Sequence, residues 1–511
     1  MASIVSHSKP KSPRRSLENI QKSFRDALVE ARVHRARDQF IASIHRDDVC
    51  SLAASHHNGD ACEFFKPPIR GSYNICYFVQ FHSSNDGAGD RWVVRVPLAP
   101  CLAFGSRSKL ESEVATMQLI AQKTTIPIPK IHAYALGDDD AGKPLSSFLI
   151  LQYIEGQKLT HADLRKLSDE QRTNLYTSLA DVYIQLRRLD FPSIGCLMQG
   201  LDGFKVCKRT VTIDLNMQEL EGRAPHCVQS RYCGSGTTLT SANKYITMLL
   251  EISDNAFAGD RSPISQEEGE DRLYHLHIFR QYVNGWVNNN FEHGPFVLVH
   301  GDLELFNLLF DDNMNVISVL DWEWSRVVPC QFFKPPLWLN STSIEDLSYG
   351  YQYKGFLAHF DKFLAVLRVL EQKKYGNEIL ANEWETGKQK SGFMVANALE
   401  NWTAIDWFAN RWINCRVYDG KKTLSSRITE FMQAEPTRQA LIRRKVLRVA
   451  PSTSQHNDPN ESCINFLDCA VQGCLARSWK TISLCCARPL PVAIGSLLLV
   501  AGVSLLFRRR R

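Results

Sequence analysis

This 511-residue chain lacks the usual sequence signals of three features: nucleic-acid binding, a structural zinc site and a disulfide framework. The 60 basic residues are nearly matched by 54 acidic ones, and no run of basic and aromatic residues occurs in the body of the chain. The 15 cysteines form no Cys-x₂-Cys pairs. We therefore expect no nucleic-acid partner, no zinc and no disulfide framework, but buried thiols in a reducing compartment.

A secretory signal is also missing. Residues 1–15 are basic and rich in serine, but they contain no apolar stretch of the signal-peptide type. Two interpretations of this segment stay open, a disordered tail and a mitochondrial targeting sequence. From Ser16 onward the apolar spacing becomes helical, and we predict one or two helices over 16–46.

The most informative stretch of the sequence is 297–324. It begins with an apolar run that predicts a strand, and His300 and Asp302 follow that run directly. Asn307 comes five residues after the aspartate. A carboxylate and a carboxamide in one short loop are oxygen donors of the kind that hard cations prefer.

A β-hairpin is predicted to follow this loop. Two apolar runs flank the polar turn 311–315, and the second run ends at Asp321. Closing the hairpin symmetrically about Met314 would set Asn307 opposite Asp321, one loop away from Asp302. The two carboxylates and the carboxamide would then suit a hard cation and a phosphate ester. The alternative is an ordinary hairpin with polar surface residues.

The string His-Gly-Asp-Leu…Asn-Leu-Leu…Leu-Asp-Trp-Glu resembles the aminoglycoside phosphotransferase and choline kinase superfamily. Protein kinases carry His-Arg-Asp and Asp-Phe-Gly at these places. The resemblance implies that Asp302 is the catalytic base, that His300 supports its loop, and that Asn307 and Asp321 bind Mg²⁺. It also implies an α+β, two-lobed protein-kinase-like fold, with an antiparallel-sheet N-lobe that binds ATP and a mainly helical C-lobe.

Two strands of the predicted N-lobe are visible in the sequence. Residues 73–81 alternate apolar and polar, and Trp92–Pro97 supplies a partner strand. Gly71 and Ser72 lie just before the first of these strands. In the resembled family this place holds the loop over the nucleotide phosphates, so both residues are candidate nucleotide ligands. A simple turn glycine is the alternative interpretation.

The main departure from the family pattern is Arg95. Kinase-like enzymes usually place a lysine on this strand, held by a glutamate from the next helix, to grip the α- and β-phosphates. Arg95 occupies that position, and Glu113, on a helix through Leu110 and Ile120, is its expected partner. Arginine can bind phosphate, but its planar group imposes a different geometry. A surface arginine and a solvated glutamate are the alternative.

The predicted hinge between the lobes is the end of the apolar stretch 148–154. In the resembled fold, backbone groups of this segment meet the adenine, so Gln152, Tyr153 and Ile154 are candidate nucleotide-binding residues. An ordinary edge of the core is the alternative. Further along the chain, Glu304 and Glu323 are the next candidates for the acceptor pocket, which residues 340–445 are expected to shape.

The C-terminal end carries a separate signal. Residues 489–507 contain no charged residue and precede four arginines, 508–511, so we predict a transmembrane helix. The sequence leaves open which side of the membrane each end of this helix faces. The expected location is a membrane, with the catalytic domain in the cytosol, or otherwise the cytoplasm. The predicted segments are a tail and helical extension (1–60), the N-lobe (61–153), the C-lobe (154–445), a linker (446–488) and the hydrophobic helix (489–507).

Together these features predict a phosphotransferase. It would use Mg²⁺ to move the γ-phosphate of ATP to a hydroxyl group of an unidentified small molecule, with GTP as an open alternative donor. Two competing hypotheses remain, a nucleotide-binding protein with weak or no transfer, which Arg95 motivates, and a membrane-tethered interaction module built on a kinase fold.

Overall fold

The computed structural model describes residues 27–82, 89–137, 143–234, 237–262, 264–416 and 422–447. The first part of the predicted N-terminal helix, most of the predicted linker and the predicted transmembrane helix lie outside these residues. Within the described ranges no helix is both long enough and apolar enough to cross a membrane.

The described chain is an α+β protein whose sheet precedes most of its helices. Its strands are β1 (Cys62–Arg70), β2 (Asn74–Phe81), β3 (Arg91–Pro97), β4 (Ile131–Ala135), β5 (Phe148–Gln152), β6 (Asp190–Phe191), β7 (Cys196–Gly200), β8 (Gly203–Lys208), β9 (Phe296–Val299), β10 (Leu308–Phe310), β11 (Val316–Val319) and β12 (Arg326–Pro329). Its helices are α1 (Ala27–Ala42), α2 (Arg46–Ser55), α3 (Ser106–Lys123), α4 (His161–Leu164), α5 (Asp169–Arg187), α6 (Ile213–Leu220), α7 (Pro225–Tyr232), α8 (Ala242–Gly259), α9 (Gln266–Trp286), α10 (Ile344–Leu347), α11 (Gly350–Tyr375), α12 (Ile379–Lys388), α13 (Gly392–Glu400), α14 (Trp402–Phe408), α15 (Asn414–Arg416), α16 (Leu424–Gln433) and α17 (Pro436–Leu447).

The N-terminal part is a five-stranded antiparallel sheet in the order β1-β2-β3-β5-β4. The sequence did not predict β1, which contains Pro67 and Pro68. Proline is tolerated here because β1 is an edge strand with irregular pairing to β2. Gly71 and Ser72 therefore form the turn of a β1–β2 hairpin, which corrects the expectation that they precede the first strand.

The two faces of this sheet have different tasks. The predicted alternation of β2 puts Tyr77 and Val79 on the face that packs with α2, in a buried cluster that also includes Val94 of β3. Cys76 and Arg95 are paired across β2 and β3, so their side chains share the opposite face. One face of the sheet thus builds the core, and the other face is left to carry polar chemistry.

The helices of the C-terminal part begin where local capping chemistry allows. Ser168 caps α5 and forms a capping box with Gln171, at the residue where the helical apolar spacing of 168–189 begins in the sequence. The acidic run 266–271 opens α9, where Ser265 is the N-cap residue and Glu267 lies in the first turn. Negative charge at a helix N-terminus is favourable. The acidic run is therefore explained by its position at the start of α9.

The sequence from Met394 to Ile413 predicts one continuous helix, and this prediction is wrong. The chain leaves α13 at Asn401, whose side chain accepts a hydrogen bond from the backbone N–H of Thr403 and so caps a new helix, α14. Residues Ala409–Ile413 then form a π-helical turn. The break brings Asn401 to the wall of the large cavity described below.

Candidate active site

The loop after β9 is shaped by Gly301, whose φ is +87°. A Cβ atom at this position would collide with the backbone carbonyl of Trp324, so only glycine fits. The hydroxyl of Ser325 donates a hydrogen bond to the carbonyl of His300 at 3.2 Å. The loop that carries the candidate base is therefore packed tightly against the segment after the hairpin.

His300 connects the two loops of the site. Its Nε2 atom donates to the carbonyl of Leu320 at 2.8 Å, and its Nδ1 atom accepts from the backbone N–H of Asp302 at 3.3 Å. Burial lowers the pKa of His300 to about 4, which keeps the ring neutral. This geometry is the supporting arrangement that the sequence predicts for His300.

Asp302 and Asn307 are in direct contact. The carboxamide nitrogen of Asn307 donates to the Asp302 carbonyl at 2.8 Å and to its carboxylate at 3.2 Å. Burial, helped by the negative charges of Asp321 and Glu323, raises the pKa of Asp302 to about 6. An oriented carboxylate with a raised pKa is a better proton acceptor than an ordinary surface aspartate.

The hairpin closes one residue away from the predicted register. An irregularity at Phe310 shifts the pairing, and the N–H of Leu320, not Asp321, donates to the carbonyl of Asn307 at 2.8 Å. The symmetric closure about Met314 is therefore wrong. Asp321 instead has a left-handed backbone, with a φ of +64°, and its side chain reaches Arg95.

Arg95 lies at the centre of a buried group of carboxylates. One guanidinium nitrogen pairs with Glu113, and another pairs with Asp321 and lies 3.4 Å from Glu323. Burial by itself would lower the pKa of Arg95, but the three carboxylates outweigh it and raise the pKa well above its usual range. The predicted contact between Arg95 and Glu113 is present, and the alternative of a surface pair is wrong.

Lys109 belongs to the same cluster, and the sequence analysis missed it. Its ammonium group pairs with Glu323, which also accepts a hydrogen bond from Asn74 at 2.6 Å. It lies on α3, four residues before Glu113, so the helical i, i+4 spacing was an available signal. Burial lowers the pKa of Lys109 and raises the pKa of Glu113 to about 7. Glu323 therefore belongs to this cluster rather than to the large cavity.

The remaining nucleotide candidates are spread over two places. Gly71 and Ser72 are exposed, and the N–H of Gly71 donates to the carbonyl of Asn74 within the hairpin turn. The side chain of Gln152 is also exposed. It shares a face with its partner Trp92, opposite to the face of Arg95, so only the backbone of Gln152 is left to fulfil the predicted contact with a nucleotide.

The hinge candidates next to Gln152 are partly buried. The ring of Tyr153 packs against Phe65, with 5.0 Å between ring centroids, and its hydroxyl accepts from Lys66 at 3.3 Å. Ile154 is half-buried beside it. These side chains form an aromatic and cationic surface at the end of the sheet.

A cavity of about 360 Å³ adjoins Asp302. Its wall also includes Glu304, side chains of α6 and residues 332–338. Burial, together with the charge of Asp302, raises the pKa of Glu304 to about 8. The cavity is of the size that small-molecule sites have. The prediction that Glu304 lines a pocket beside the candidate base agrees with this geometry.

The residues that would hold a magnesium ion are few. Among the described residues, no three His, Cys, Asp or Glu side chains form a ready metal cluster. Asp321 and Asn307 offer one carboxylate and one carboxamide, and Mg²⁺ usually takes only one or two protein carboxylates besides water and phosphate. This donor set fits a magnesium ion that is brought in with a nucleotide.

The antiparallel sheet with its helical continuation has the α+β architecture that the sequence predicts. Residues 77–329 match the model of the phosphotransferase enzyme family, APH. This match runs from β2 through the loop of Asp302 and the hairpin to β12. The chain therefore carries a domain of this phosphotransferase family, and the resemblance inferred from the His-Gly-Asp string is confirmed.

Two curated relatives match parts of the chain. Clavilactone A biosynthesis cluster protein Y of Ampulloclitocybe clavipes is 27% identical over 254 residues, which are 47% of this chain and 55% of that protein. Altered inheritance of mitochondria protein 9 of Meyerozyma guilliermondii is 29% identical over 106 residues, 20% of this chain and 17% of that protein. The chain thus spans about half the length of the first relative, and a smaller share, 17%, of the length of the second.

Solved structures resemble the chain distantly. A putative aminoglycoside phosphotransferase from Ralstonia eutropha is 16% identical, with a TM-score of 0.41 over 79% of this chain and 98% of that one. An ethanolamine kinase from Plasmodium vivax is 14% identical, with a TM-score of 0.36 over 75% of this chain and 84% of that one.

Proposed function

We propose that this protein transfers the γ-phosphoryl group of ATP to a hydroxyl group of a small molecule, with Mg²⁺ bound at the site. The observation that carries the proposal is the position of Asp302. Asp302 lines the cavity of about 360 Å³, and its carboxylate accepts a hydrogen bond from the carboxamide of Asn307. The Arg95 cluster is close enough for Asp321 to raise the pKa of Asp302.

In this proposal Asp302 acts on the acceptor. Its carboxylate orients the attacking hydroxyl and takes up the hydroxyl proton as the new O–P bond forms and the bond to ADP breaks. Asn307 fixes the carboxylate through its carboxamide nitrogen, and His300 fixes the backbone of the same loop. Positioning of this kind supplies much of the rate enhancement in phosphoryl transfer.

Asp321 and Asn307 are the residues that would hold the metal ion, and Arg95, steadied by Glu113, would contact the phosphates. When bound, Mg²⁺ supplies positive charge that offsets the charge developing on the transferred group. For this to happen Asp321 must share its carboxylate between Arg95 and the ion. Gly71, Ser72, Tyr153 and Ile154 are proposed to surround the nucleotide through backbone and ring contacts.

The test is the substitution Asp302→Asn, which keeps the size of the side chain but removes its basicity. We expect the transfer rate to fall by about 10²–10⁴-fold, the usual contribution of a general base, while ATP affinity stays within a few-fold. The matched control is Asp312→Asn, in the exposed turn of the same hairpin. Transfer that survives Asp302→Asn unchanged would refute the assignment.

A second candidate function, nucleotide binding without transfer, is favoured by one observation. The ion pair between Arg95 and Asp321 uses the carboxylate that would hold the metal. Calorimetry with ATP, with and without Mg²⁺, separates the two candidates. Phosphoryl transfer requires that Mg²⁺ strengthen ATP binding, whereas equal binding in both titrations would support the second candidate.

Membrane attachment through residues 489–507 is a further part of the proposal, supported by the uncharged run in the sequence. The segment boundaries 61–153 and 154–445 are likewise proposed. Deletion of residues 487–511 should release the protein into the soluble fraction. Full-length protein that is released by carbonate extraction would argue against a membrane-spanning helix.

A further inference from the structure

The cavity beside Asp302 contains a second carboxylate, that of Glu304. This side chain lies two residues after the candidate base and lines the same cavity. It is partly buried, and no side chain in the described parts of the chain hydrogen-bonds or ion-pairs with it. A partly buried carboxyl group that lines a cavity without a protein partner is available to hydrogen-bond with a bound ligand.

The cavity wall also contains two cations, Lys334 and Arg326, and both contact the carboxylate of Glu400. Lys334 is close enough to influence the pKa of Glu304, and its ammonium group lies 3.3 Å from the Glu400 carboxylate. The guanidinium of Arg326 contacts the same carboxylate at 2.5 Å. A cationic group placed beside Glu304 would therefore also meet Lys334, whose repulsion would oppose its binding.

Two further carboxylates line the cavity, those of Asp214 and Glu221. They lie in or just after α6, and each has a partner. Asp214 accepts a hydrogen bond from Gln218 at 2.7 Å, and Glu221 pairs with Arg223 at 2.9 Å. These two carboxylates are thus already engaged by side chains of the protein, and a ligand cation would have to compete with those partners.

Much of the remaining wall is apolar and aromatic. Phe332, Phe333 and Trp402 line it, together with Met217 of α6. Trp338 also lines it, and its indole N–H is occupied by a hydrogen bond of 2.9 Å to the carbonyl of Leu303. Aromatic rings that have no polar group, or whose polar group already has a hydrogen-bond partner, favour contact with an apolar face of a ligand.

We propose that the acceptor is a neutral alcohol built on a ring with an apolar face. Its reacting hydroxyl would meet Asp302, and a neighbouring hydroxyl would hydrogen-bond with Glu304. This inference rests on the proposed function, because it assigns the cavity to the phosphoryl acceptor. A ligand of one or two rings matches a cavity of about 360 Å³.

The experiment measures binding to the full-length protein by calorimetry, so it does not depend on turnover. The probes are cis-1,2-cyclohexanediol and 2-hydroxybenzyl alcohol as neutral ring alcohols, and choline and kanamycin as cations. We expect the neutral probes to bind at least about tenfold more tightly than choline, and kanamycin to bind weakly or not at all. Tighter binding of either cation, or no binding of either neutral probe at 10 mM, would overturn the inference.

Two variants of Glu304 sharpen the result. Glu304→Gln keeps the hydrogen-bonding capacity without the charge, so it should weaken binding of the neutral probes by no more than about threefold. Glu304→Ala removes the partner and should weaken it by about tenfold. Equal losses in the two variants would show that the hydrogen-bonding capacity kept in Glu304→Gln contributes nothing, and would contradict a hydrogen bond between Glu304 and a hydroxyl group of the acceptor. Glu430→Ala, at an exposed glutamate paired with Lys422, is the control for general effects.

The same probes separate this inference from the proposed function. Formation of ADP that requires both a probe and Asp302 supports phosphoryl transfer. Binding of the neutral probes that depends on Glu304, without any ADP formation, would support the cavity assignment while arguing against transfer to these alcohols. ADP formation with a cationic acceptor alone would keep the proposed function and overturn the neutral acceptor.

Discussion

The guanidinium group of Arg95 forms an ion pair with the carboxylate of Asp321, although 226 positions separate the two residues in the chain. Arg95 also pairs with Glu113 of α3, so one side chain joins the sheet, a helix and the segment after the hairpin. This arrangement gives Arg95 two tasks at once. It holds the site together, and it occupies the carboxylate that we propose as a metal ligand.

Replacing Arg95 with methionine should strongly destabilise the protein. The substitution would leave Glu113 and Glu323 buried without their shared cation, and breaking a buried ion pair in this way costs about 3–5 kcal/mol. The free energy of unfolding in urea, measured by fluorescence, checks the prediction.

The matched control for this prediction is Arg91→Met on the same strand. Arg91 is more exposed and lies 3.8 Å from the exposed Glu155, so its loss should cost no more than about 1 kcal/mol. If the two variants were destabilised equally, the buried cluster would not have the structural weight that we assign to it.

Lys109 and Glu323 should be energetically coupled. Their ion pair is almost completely buried, with side-chain exposures of 11% and 4%. A double-mutant cycle with Lys109→Met and Glu323→Gln should give an interaction energy of about 1–3 kcal/mol in urea unfolding. The exposed pair of Lys422 and Glu430 serves as the reference cycle and should give less than about 1 kcal/mol. Additive effects of Lys109→Met and Glu323→Gln would exclude the coupling.

The parts of the fold that depend on local pattern could be predicted from the sequence. The alternation of β2 and the polar turn between β10 and β11 are local signals, and both elements are present. The strand β1 could not be predicted in the same way, because Pro67 and Pro68 oppose strand formation unless the strand lies at an edge. Its position at the edge depends on the whole sheet and is not encoded locally.

The candidate site was predicted only in part, because some of its contacts depend on tertiary structure and not on local sequence. Asp302, Asn307 and Asp321 lie in one continuous stretch, and their spacing identifies them together. The register of the hairpin depends on an irregularity at Phe310, which no residue type in the turn reveals. Lys109 reaches Glu323 only because α3 packs beside the segment after the hairpin, and such a contact follows from tertiary structure alone.

Stability should fall in mild acid because of His300. Burial lowers the pKa of this histidine to about 4 in the folded state, below the ordinary value of 6.5. The folded state therefore resists protonation, while the unfolded chain takes up a proton as the pH falls through 6.5. The contribution of His300 is complete above pH 6.5 and is lost progressively toward pH 4, by about 3 kcal/mol in total.

Unfolding curves of the wild type and of His300→Gln between pH 7.5 and 4 check this prediction. The variant lacks the titrating ring, so the difference in unfolding free energy between the two proteins should shrink as the pH falls. His82→Gln, at an exposed position, should follow the wild type at every pH. A constant difference between the wild type and His300→Gln would show that this histidine does not contribute to the acid sensitivity.

Gly301 and Gly203 provide a matched pair for testing how tightly the loop of the candidate base is packed. Both have a positive φ, +87° and +112°, so alanine is strained at either position. A Cβ atom at Gly203 would meet no other atom within 4 Å, and the strain alone should cost about 1–2 kcal/mol. At Gly301 the Cβ atom would collide with the carbonyl of Trp324, and backbone cannot move aside as a side chain can.

We therefore expect Gly301→Ala to cost more than about 4 kcal/mol in urea unfolding, well beyond the cost of Gly203→Ala. The collision should also displace the backbone that carries Asp302, since that residue directly follows Gly301. Any folded Gly301→Ala protein should transfer phosphate poorly, whereas Gly203→Ala should keep the wild-type rate. Equal unfolding free energies for the two variants would mean that the loop has room to adjust. Asp302 would then owe its orientation to Asn307 and His300 rather than to the close contact between Gly301 and Trp324.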